Sequence, residues 1–272
     1  MGVGFNSIYH ITDSPSFITS NNYIILDPHR WYFKGGVIFD FGQDLVNDCP
    51  DQFAPFRIPC DKPYDGTIFR YPLRTDEDSV DSEISKKVYK PEDILETFHK
   101  FYEKEGINCL LFLKYIERIR FYELKVGATE PELLYTIQLD NVDDNIRLQR
   151  RKIVENIVPM MKLLKSKELE SDKQLKASYV VSFSRQQKND SKEANSWLIL
   201  NYLDDLIKAE TYFHEKFHRY IGDYKFIPNV GLAVPLNNLS DTGKLFCFLP
   251  LPIEMPFLVS VHGYFAVRIN EN

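Results

Sequence analysis

Two short motifs in this sequence contain residue types that can support chemistry. The first is Gly2-Val3-Gly4-Phe5, in which two glycines precede the helix-like apolar spacing of Ile8 and Ile11. Glycines let backbone N–H groups come close to an anion, and the N-terminus of a following helix adds a partial positive charge. This turn therefore predicts the backbone part of a phosphate-binding site, and the alternative is an N-terminus that simply frays.

The second motif is His214-Glu215-Lys216-Phe217-His218, which matches the H-E-x-x-H pattern. His214 and His218 would share one helix face and bind a zinc ion, with Glu215 as general base toward a bound water. Against this, Lys216 lies between the ligands and no convincing third ligand follows, since Asp223 is one turn on and Glu254 lies beyond two predicted strands. A zinc peptidase is the second hypothesis, and two exposed histidines on an amphipathic helix are its alternative.

Composition narrows the class of protein. The 272 residues carry a formal net charge of −6 without a long basic run, which argues against a nucleic-acid partner. No apolar stretch is long enough to cross a membrane and no secretory signal is recognisable, so we expect a cytoplasmic protein without membrane contact. The cysteines form no C-x-x-C pair and are expected to be reduced, structural thiols. They are Cys49, Cys60, Cys109 and Cys247.

Strands and helices that would position these residues follow from the spacing of apolar positions. Residues 16–19 and 23–26 surround a polar turn and predict a β-hairpin. Residues 66–74 alternate apolar and polar like a half-buried strand, whereas residues 30–65 are predicted to be a loop. Helices are predicted over 91–105, 144–170 and 203–221, and one strand or a pair of strands over 110–124. Further strands are predicted over 135–139, 178–184, 197–202, 230–236 and 244–249.

Several segments stand out in order along the chain. They are Gly2 to Asp13 with Pro15-Ser16-Phe17, Asp27-Pro28-His29, Asp51-Gln52-Phe53 with Pro55, Asp65 to Arg74, Cys109 to Lys114, Phe246 to Pro252, and Val261 to Ala266. Taken together, these segments resemble the sacsin family. Residues 125–230 match only loosely. The resemblance implies an ATPase domain of the type shared by heat-shock chaperones, histidine kinases and gyrases.

This resemblance implies an α+β fold. Residues 1–124 would be the rear part of a chaperone-type ATPase α/β sandwich with a mixed, largely antiparallel sheet, and residues 125–272 a smaller α/β middle-type domain. In those ATPases the glycine box wraps the nucleotide phosphates and a Gly-Thr strand lines the adenine pocket. The resemblance therefore assigns a remnant nucleotide site to Gly2, Val3, Gly4, Phe5 and Thr67.

The same ATPases place their magnesium-binding Asn, water-activating Glu and adenine-binding Asp upstream of the glycine box. This sequence begins at that box, so we expect an N-terminally truncated domain with no catalytic residue and no ATP hydrolysis. No cofactor is expected, and ATP with Mg²⁺ would bind only if an upstream segment were supplied. The expected role is chaperone or co-chaperone work in protein quality control, and a fragment without activity is the third hypothesis.

Protein partners, among them heat-shock chaperones, are expected for such a protein. The missing front of the domain is expected to expose apolar sheet surface, which self-association or a complementing segment would cover.

Overall fold

The computed structural model describes residues 3–170, 173–188, 190–217, 227–237 and 242–264. The fold is α+β, and the chain divides into two compact units, unit 1 up to Thr97 and unit 2 from Phe98 onward. The described helices are α1 Val3–Asn6, α2 Gln43–Asp48, α3 Pro50–Phe53, α4 Asp76–Asp81, α5 Pro91–Lys104, α6 Asp144–Lys165 and α7 Leu206–Phe217. None of these helices combines the length and the apolar content needed to cross a membrane.

Unit 1 is built on a four-stranded antiparallel sheet in the order β3-β2-β1-β4. Its strands are β1 Ser16–Ser20, β2 Asn22–Asp27, β3 Gly35–Asp40 and β4 Tyr64–Arg70. One face of the sheet covers an aromatic core, because alternate residues of a strand point to opposite faces. That core consists of Ile18, Tyr23, Phe41, Phe53 and Phe56.

The predicted hairpin is confirmed, since β1 and β2 pair directly with Ile18 opposite Tyr23. The prediction of a loop over residues 30–65 is wrong, because this stretch contains β3, α2 and α3. Gly36 explains the error. It has a φ of +145°, and a Cβ there would lie 2.6 Å from the carbonyl oxygen of Ile25. Adjacent glycines usually indicate a loop, but here one of them permits close approach of two strands.

Unit 2 is built on an eight-stranded sheet in the order β11-β10-β12-β9-β8-β7-β6-β5. All neighbours are antiparallel except β10 and β12, which are parallel, so the sheet is mixed. Its strands are β5 Arg118–Glu123, β6 Glu132–Asp140, β7 Leu175–Gln187, β8 Glu193–Leu203, β9 Asn229–Pro235, β10 Gly243–Cys247, β11 Leu249–Met255 and β12 Ser260–Gly263. Helix α6 packs against β7.

Two hydrophobic clusters stabilise unit 2. The larger contains fully buried Phe112, Ile137, Ile199 and Phe246, and the smaller lies where α6 and α7 meet the end of β8 at Leu203. The helices predicted over 91–105 and 144–170 are confirmed within a few residues.

The first half of the predicted strand at 110–124 is wrong, because Asn108–Leu110 is a 3₁₀ turn and the strand begins only at Arg118. A run of apolar residues is equally compatible with a buried turn, so periodicity alone could not decide. The larger, mixed sheet lies in unit 2, whereas the resemblance placed it in the first part of the chain. The predicted domain boundary between residues 124 and 125 falls between β5 and β6 and stays a prediction.

Candidate functional site

Of the five residues predicted to form a remnant nucleotide site, Phe5 and Thr67 lie on one face of the unit 1 sheet. Gly2 lies outside the described residues, and the backbone of Val3 and Gly4 forms the start of α1. The Phe5 ring centroid lies 6.1 Å from that of Phe69 on β4. Thr67 precedes Phe69 by two residues and therefore points to the same side of the sheet.

The side chain of Thr67 belongs to a short polar ladder at the edge of the sheet. Its hydroxyl donates to Oγ1 of Thr19 across 3.1 Å, and Thr19 in turn donates to the carbonyl oxygen of Gly66, also at 3.1 Å. Thr67 is exposed and lies directly opposite Thr19 in the strand register. These hydroxyls can hydrogen-bond a ligand, but neither of them is an acid or a base.

An apolar row crosses this same face of the sheet. In the strand register Ile38 lies opposite Ile24, Ile24 opposite Phe17, and Phe17 opposite Phe69. The apolar row therefore consists of Ile38, Ile24, Phe17 and Phe69. Its ends are open to solvent, with Ile38 67% and Phe69 43% exposed. Sheet faces normally bury such side chains, whereas both ends of this row are open to solvent.

A buried ionic cluster in unit 1 is centred on Asp13. Arg74 donates to both carboxylate oxygens, from Nε to Oδ2 at 2.7 Å and from Nη2 to Oδ1 at 2.9 Å. Ser82 Oγ donates to Oδ1 at 2.8 Å, and Nε2 of His29 lies 3.1 Å from the same oxygen. An ionised carboxylate can only accept hydrogen bonds, so this nitrogen of His29 carries the proton.

The remaining donors of Arg74 hold the segment that follows the glycine turn. Nη2 donates to the carbonyl of Tyr9 at 2.8 Å, and Nη1 donates to the carbonyls of His10 and Lys87 at 3.1 and 2.9 Å. With the two bonds to Asp13, all five N–H groups of the guanidinium have partners. The cluster therefore fixes the 3₁₀ turn Ser7–His10, which directly follows α1, to the body of unit 1.

Hydrogen bonding keeps Asp13 ionised. Burial alone would raise the pKa of this carboxyl, but the hydrogen bonds from Arg74, His29 and Ser82 outweigh burial and lower it below its ordinary value. Asp13, His29 and Arg74 stand in three of the segments that resemble the sacsin family. No local pattern predicts that they meet, because Arg74 is 61 residues away from Asp13.

A second set of buried polar side chains lies in unit 2. Two of them, Lys114 and His262, also belong to segments that resemble the sacsin family. Lys114 donates to Oδ1 of Asn201 at 3.4 Å, and the ring of His262 stacks on Phe112 with centroids 5.1 Å apart. Burial lowers the pKa of Lys114 to about 8, with nearby Arg150 adding to the shift. Burial and the charge of Lys114 lower the pKa of His262 to about 4. His262 is therefore neutral at pH 7, and sequence reasoning had not singled out these side chains.

The H-E-x-x-H motif is only partly within the described residues. His214 and Glu215 lie in α7 and are exposed, whereas His218 lies outside the described residues. The ammonium group of Lys216 bonds the hydroxyl of Tyr212 at 3.0 Å. No group of three or more His, Cys, Asp or Glu within the described part of the chain is placed to hold a metal ion. Nothing here favours the zinc hypothesis.

None of the four cysteines is in a disulfide. Cys109 is buried, and burial raises the pKa of its thiol to about 12, which makes it a poor nucleophile. Cys49 is exposed, and Cys60 and Cys247 are half-buried.

Two comparisons with known proteins agree with the resemblance. A family model described as the Sacsin domain matches residues 1–136. Sacsin from Homo sapiens is 28% identical over 287 aligned residues, which cover 98% of this chain. The chain spans only 6% of the length of that relative.

Proposed function

This chain belongs to the sacsin family, and on that premise we propose that it is a protein-binding module in protein quality control. Unit 1 belongs, in this proposal, to a chaperone-type ATPase domain, and the module works in the cytosol beside heat-shock chaperones. It binds other proteins and catalyses no reaction.

The apolar row is the observation that carries this proposal. It crosses all four strands of the unit 1 sheet and ends on both sides in exposed apolar side chains. Burying one exposed isoleucine or phenylalanine contributes about 1.5–3 kcal/mol to the free energy of binding. Even a short apolar segment that lies across the row therefore binds with measurable affinity. Unfolded or partly folded proteins expose segments of this kind, and they are the clients that quality control must recognise.

The remnant nucleotide site is part of the same proposal. Phe5 and Thr67 share the face of the apolar row, so a ligand or partner on that face contacts both. Backbone donors and a hydroxyl hold a nucleotide only weakly, since a triphosphate needs its Mg²⁺ and charged partners for tight binding. We therefore propose that these 272 residues bind nucleotide weakly and do not hydrolyse it.

Aggregation of a reduced model client tests protein binding. Reduced insulin is a convenient client, because this chain has no disulfide for the reductant to break. We expect the chain to delay insulin aggregation, and we expect Ile38→Thr and Phe69→Thr each to weaken the delay by about two-fold or more, because each removes apolar contact area.

Val158→Thr is the matched control, since Val158 is 59% exposed on α6 and lies outside the apolar row. It should protect insulin as well as the unchanged chain does. An unchanged chain that gives no protection, or a control that loses as much protection as Ile38→Thr, would contradict the proposal.

A further inference from the structure

A cavity in unit 1 combines aromatic rings with carboxylates and lies apart from the apolar row. It has a volume of about 530 Å³ and is lined by Trp31, Tyr32, Glu77, Asp78 and Asp81. Trp31 is 41% exposed and Tyr32 is 81% exposed, which is unusual for such large rings in a folded unit. No basic residue is among those that line the cavity.

Trp31 and Tyr32 form the aromatic wall of the cavity, and the buried side chains of Asp27 and His29 hold this wall in place. The carboxylate of Asp27 accepts backbone N–H bonds from Trp31, Tyr32 and Phe33 at 3.2, 2.7 and 2.8 Å. The Trp31 ring stacks on His29, with centroids 4.3 Å apart and planes only 11° from parallel. The indole is therefore held in a fixed orientation with its other face free for a ligand.

The acidic wall is helix α4, which is anchored to the same cluster. Ser82 follows the helix and donates to Asp13, the residue that also holds His29. The carboxylate of Asp78 is engaged with the backbone N–H and hydroxyl of Thr75. Among the described residues no basic side chain forms an ion pair with Glu77 or Asp81, so these two carboxylates remain available.

We propose that this cavity binds an arginine side chain of a protein partner. A guanidinium is planar, stacks on the faces of tryptophan and tyrosine, and donates to carboxylates at the same time. A metal ion would need at least three suitable ligands together, and the described residues contain no such group. The inference goes beyond the proposed function, which uses the apolar row and a different part of the partner.

Binding of a short fluorescent peptide tests this site directly. The probe is a glycine-arginine peptide, compared with the same peptide in which citrulline replaces each arginine, because citrulline keeps the shape but removes the charge. We expect the arginine peptide to bind about ten-fold more tightly by fluorescence anisotropy. We expect Tyr32→Ala and the double variant Glu77→Gln/Asp81→Asn each to weaken binding about five-fold or more.

Two controls keep the result specific. Glu155→Gln/Glu168→Gln changes the net charge equally at exposed positions of unit 2 and should leave binding unchanged. The arginine peptide should also quench Trp31, because Trp197 is only 7% exposed, and Trp31→Phe should abolish the quenching. Equal affinity for the citrulline peptide, equal loss in the unit 2 variant, or quenching that survives Trp31→Phe would overturn the proposal.

Discussion

Arg74 shows how one side chain can organise a whole segment. Its five N–H groups bond Asp13 and the carbonyls of Tyr9, His10 and Lys87, so nothing polar on the guanidinium is left without a partner. A buried ion pair contributes little net stability when complete, but leaving one partner alone is costly. The cluster therefore specifies one position for the 3₁₀ turn Ser7–His10 that follows α1.

Acid should weaken unit 1 through Asp13. Burial disfavours the ionised carboxylate, but the hydrogen bonds that it accepts favour it more strongly. The folded pKa of Asp13 therefore lies below the unfolded value of about 3.9. The carboxylate therefore contributes stability above pH 4, and this contribution is lost as the pH falls through the lowered folded pKa. We expect Asp13→Asn to cost about 3 kcal/mol at pH 7 and clearly less near pH 2.

Urea unfolding followed by Trp31 fluorescence between pH 2 and pH 7 measures this difference. Asp61→Asn is the control, since Asp61 is exposed in the same unit and should change little at any pH. A cost for Asp13→Asn that stays the same at every pH would contradict the assignment.

The chemistry at this scale was only partly predictable. Phe5 and Thr67 lie on one face of the sheet, and their place in a nucleotide site stays a prediction. The partners of Asp13 were not predictable, because His29, Arg74 and Ser82 follow it by 16, 61 and 69 residues. Spacing along the chain reports neighbours within a helix or strand, and it carries no information on pairs that the fold brings together.

At the scale of the elements, local residue signals predicted the helices well, but they did not predict strands that depend on long-range pairing. Helix α5 was readable from Pro91 in its first turn and Gly106 just after its end. Strand β11 was missed because Pro250 and Pro252 indicate a loop, although an edge strand tolerates proline on its unpaired side. Strand β3 was missed because its own residues resemble a loop, and only its pairing with β2 shows that it is a strand.

Gly35 and Gly36 offer a test of that pairing. Both have positive φ, but a Cβ on Gly35 meets nothing within 4 Å, whereas a Cβ on Gly36 meets the carbonyl oxygen of Ile25 at 2.6 Å. We expect Gly35→Ala to cost about 1–3 kcal/mol from backbone strain alone, and Gly36→Ala to cost more because β2 and β3 must also separate. Urea unfolding followed by Trp31 fluorescence measures both, and equal costs would contradict the close approach of these strands.

At the scale of the whole molecule, the α+β class and the family were predictable, but the assembly of the sheets was not. The alternation of apolar and polar residues can be seen within each strand by itself. The order of the strands in a sheet depends instead on contacts between residues far apart in the chain. The mixed character of the larger sheet rests on one parallel pair, β10 with β12, and no residue pattern indicated it.

The prediction on ATP also belongs to this scale, because it concerns what the 272 residues do together. Under the proposed function we expect the purified 272 residues to release no phosphate from magnesium-ATP above background, because backbone donors and the hydroxyl of Thr67 include no general base that could activate water. Phosphate release by the chain and by Thr67→Ala measures this. Turnover that persists through purification and falls in Thr67→Ala would contradict the prediction, whereas turnover unaffected by the substitution would come from a contaminant.

The position of β12 has a consequence for how the protein is made. This four-residue strand pairs with β9 on one side and β10 on the other, so the β10–β11 hairpin joins the sheet only through it. A ribosome synthesises β12 after all the other described strands, and an isolated hairpin is marginally stable in water. During synthesis the β10–β11 hairpin therefore stays unpaired with the rest of the sheet. The sheet of unit 2 is completed only when residues 260–263 emerge from the ribosome.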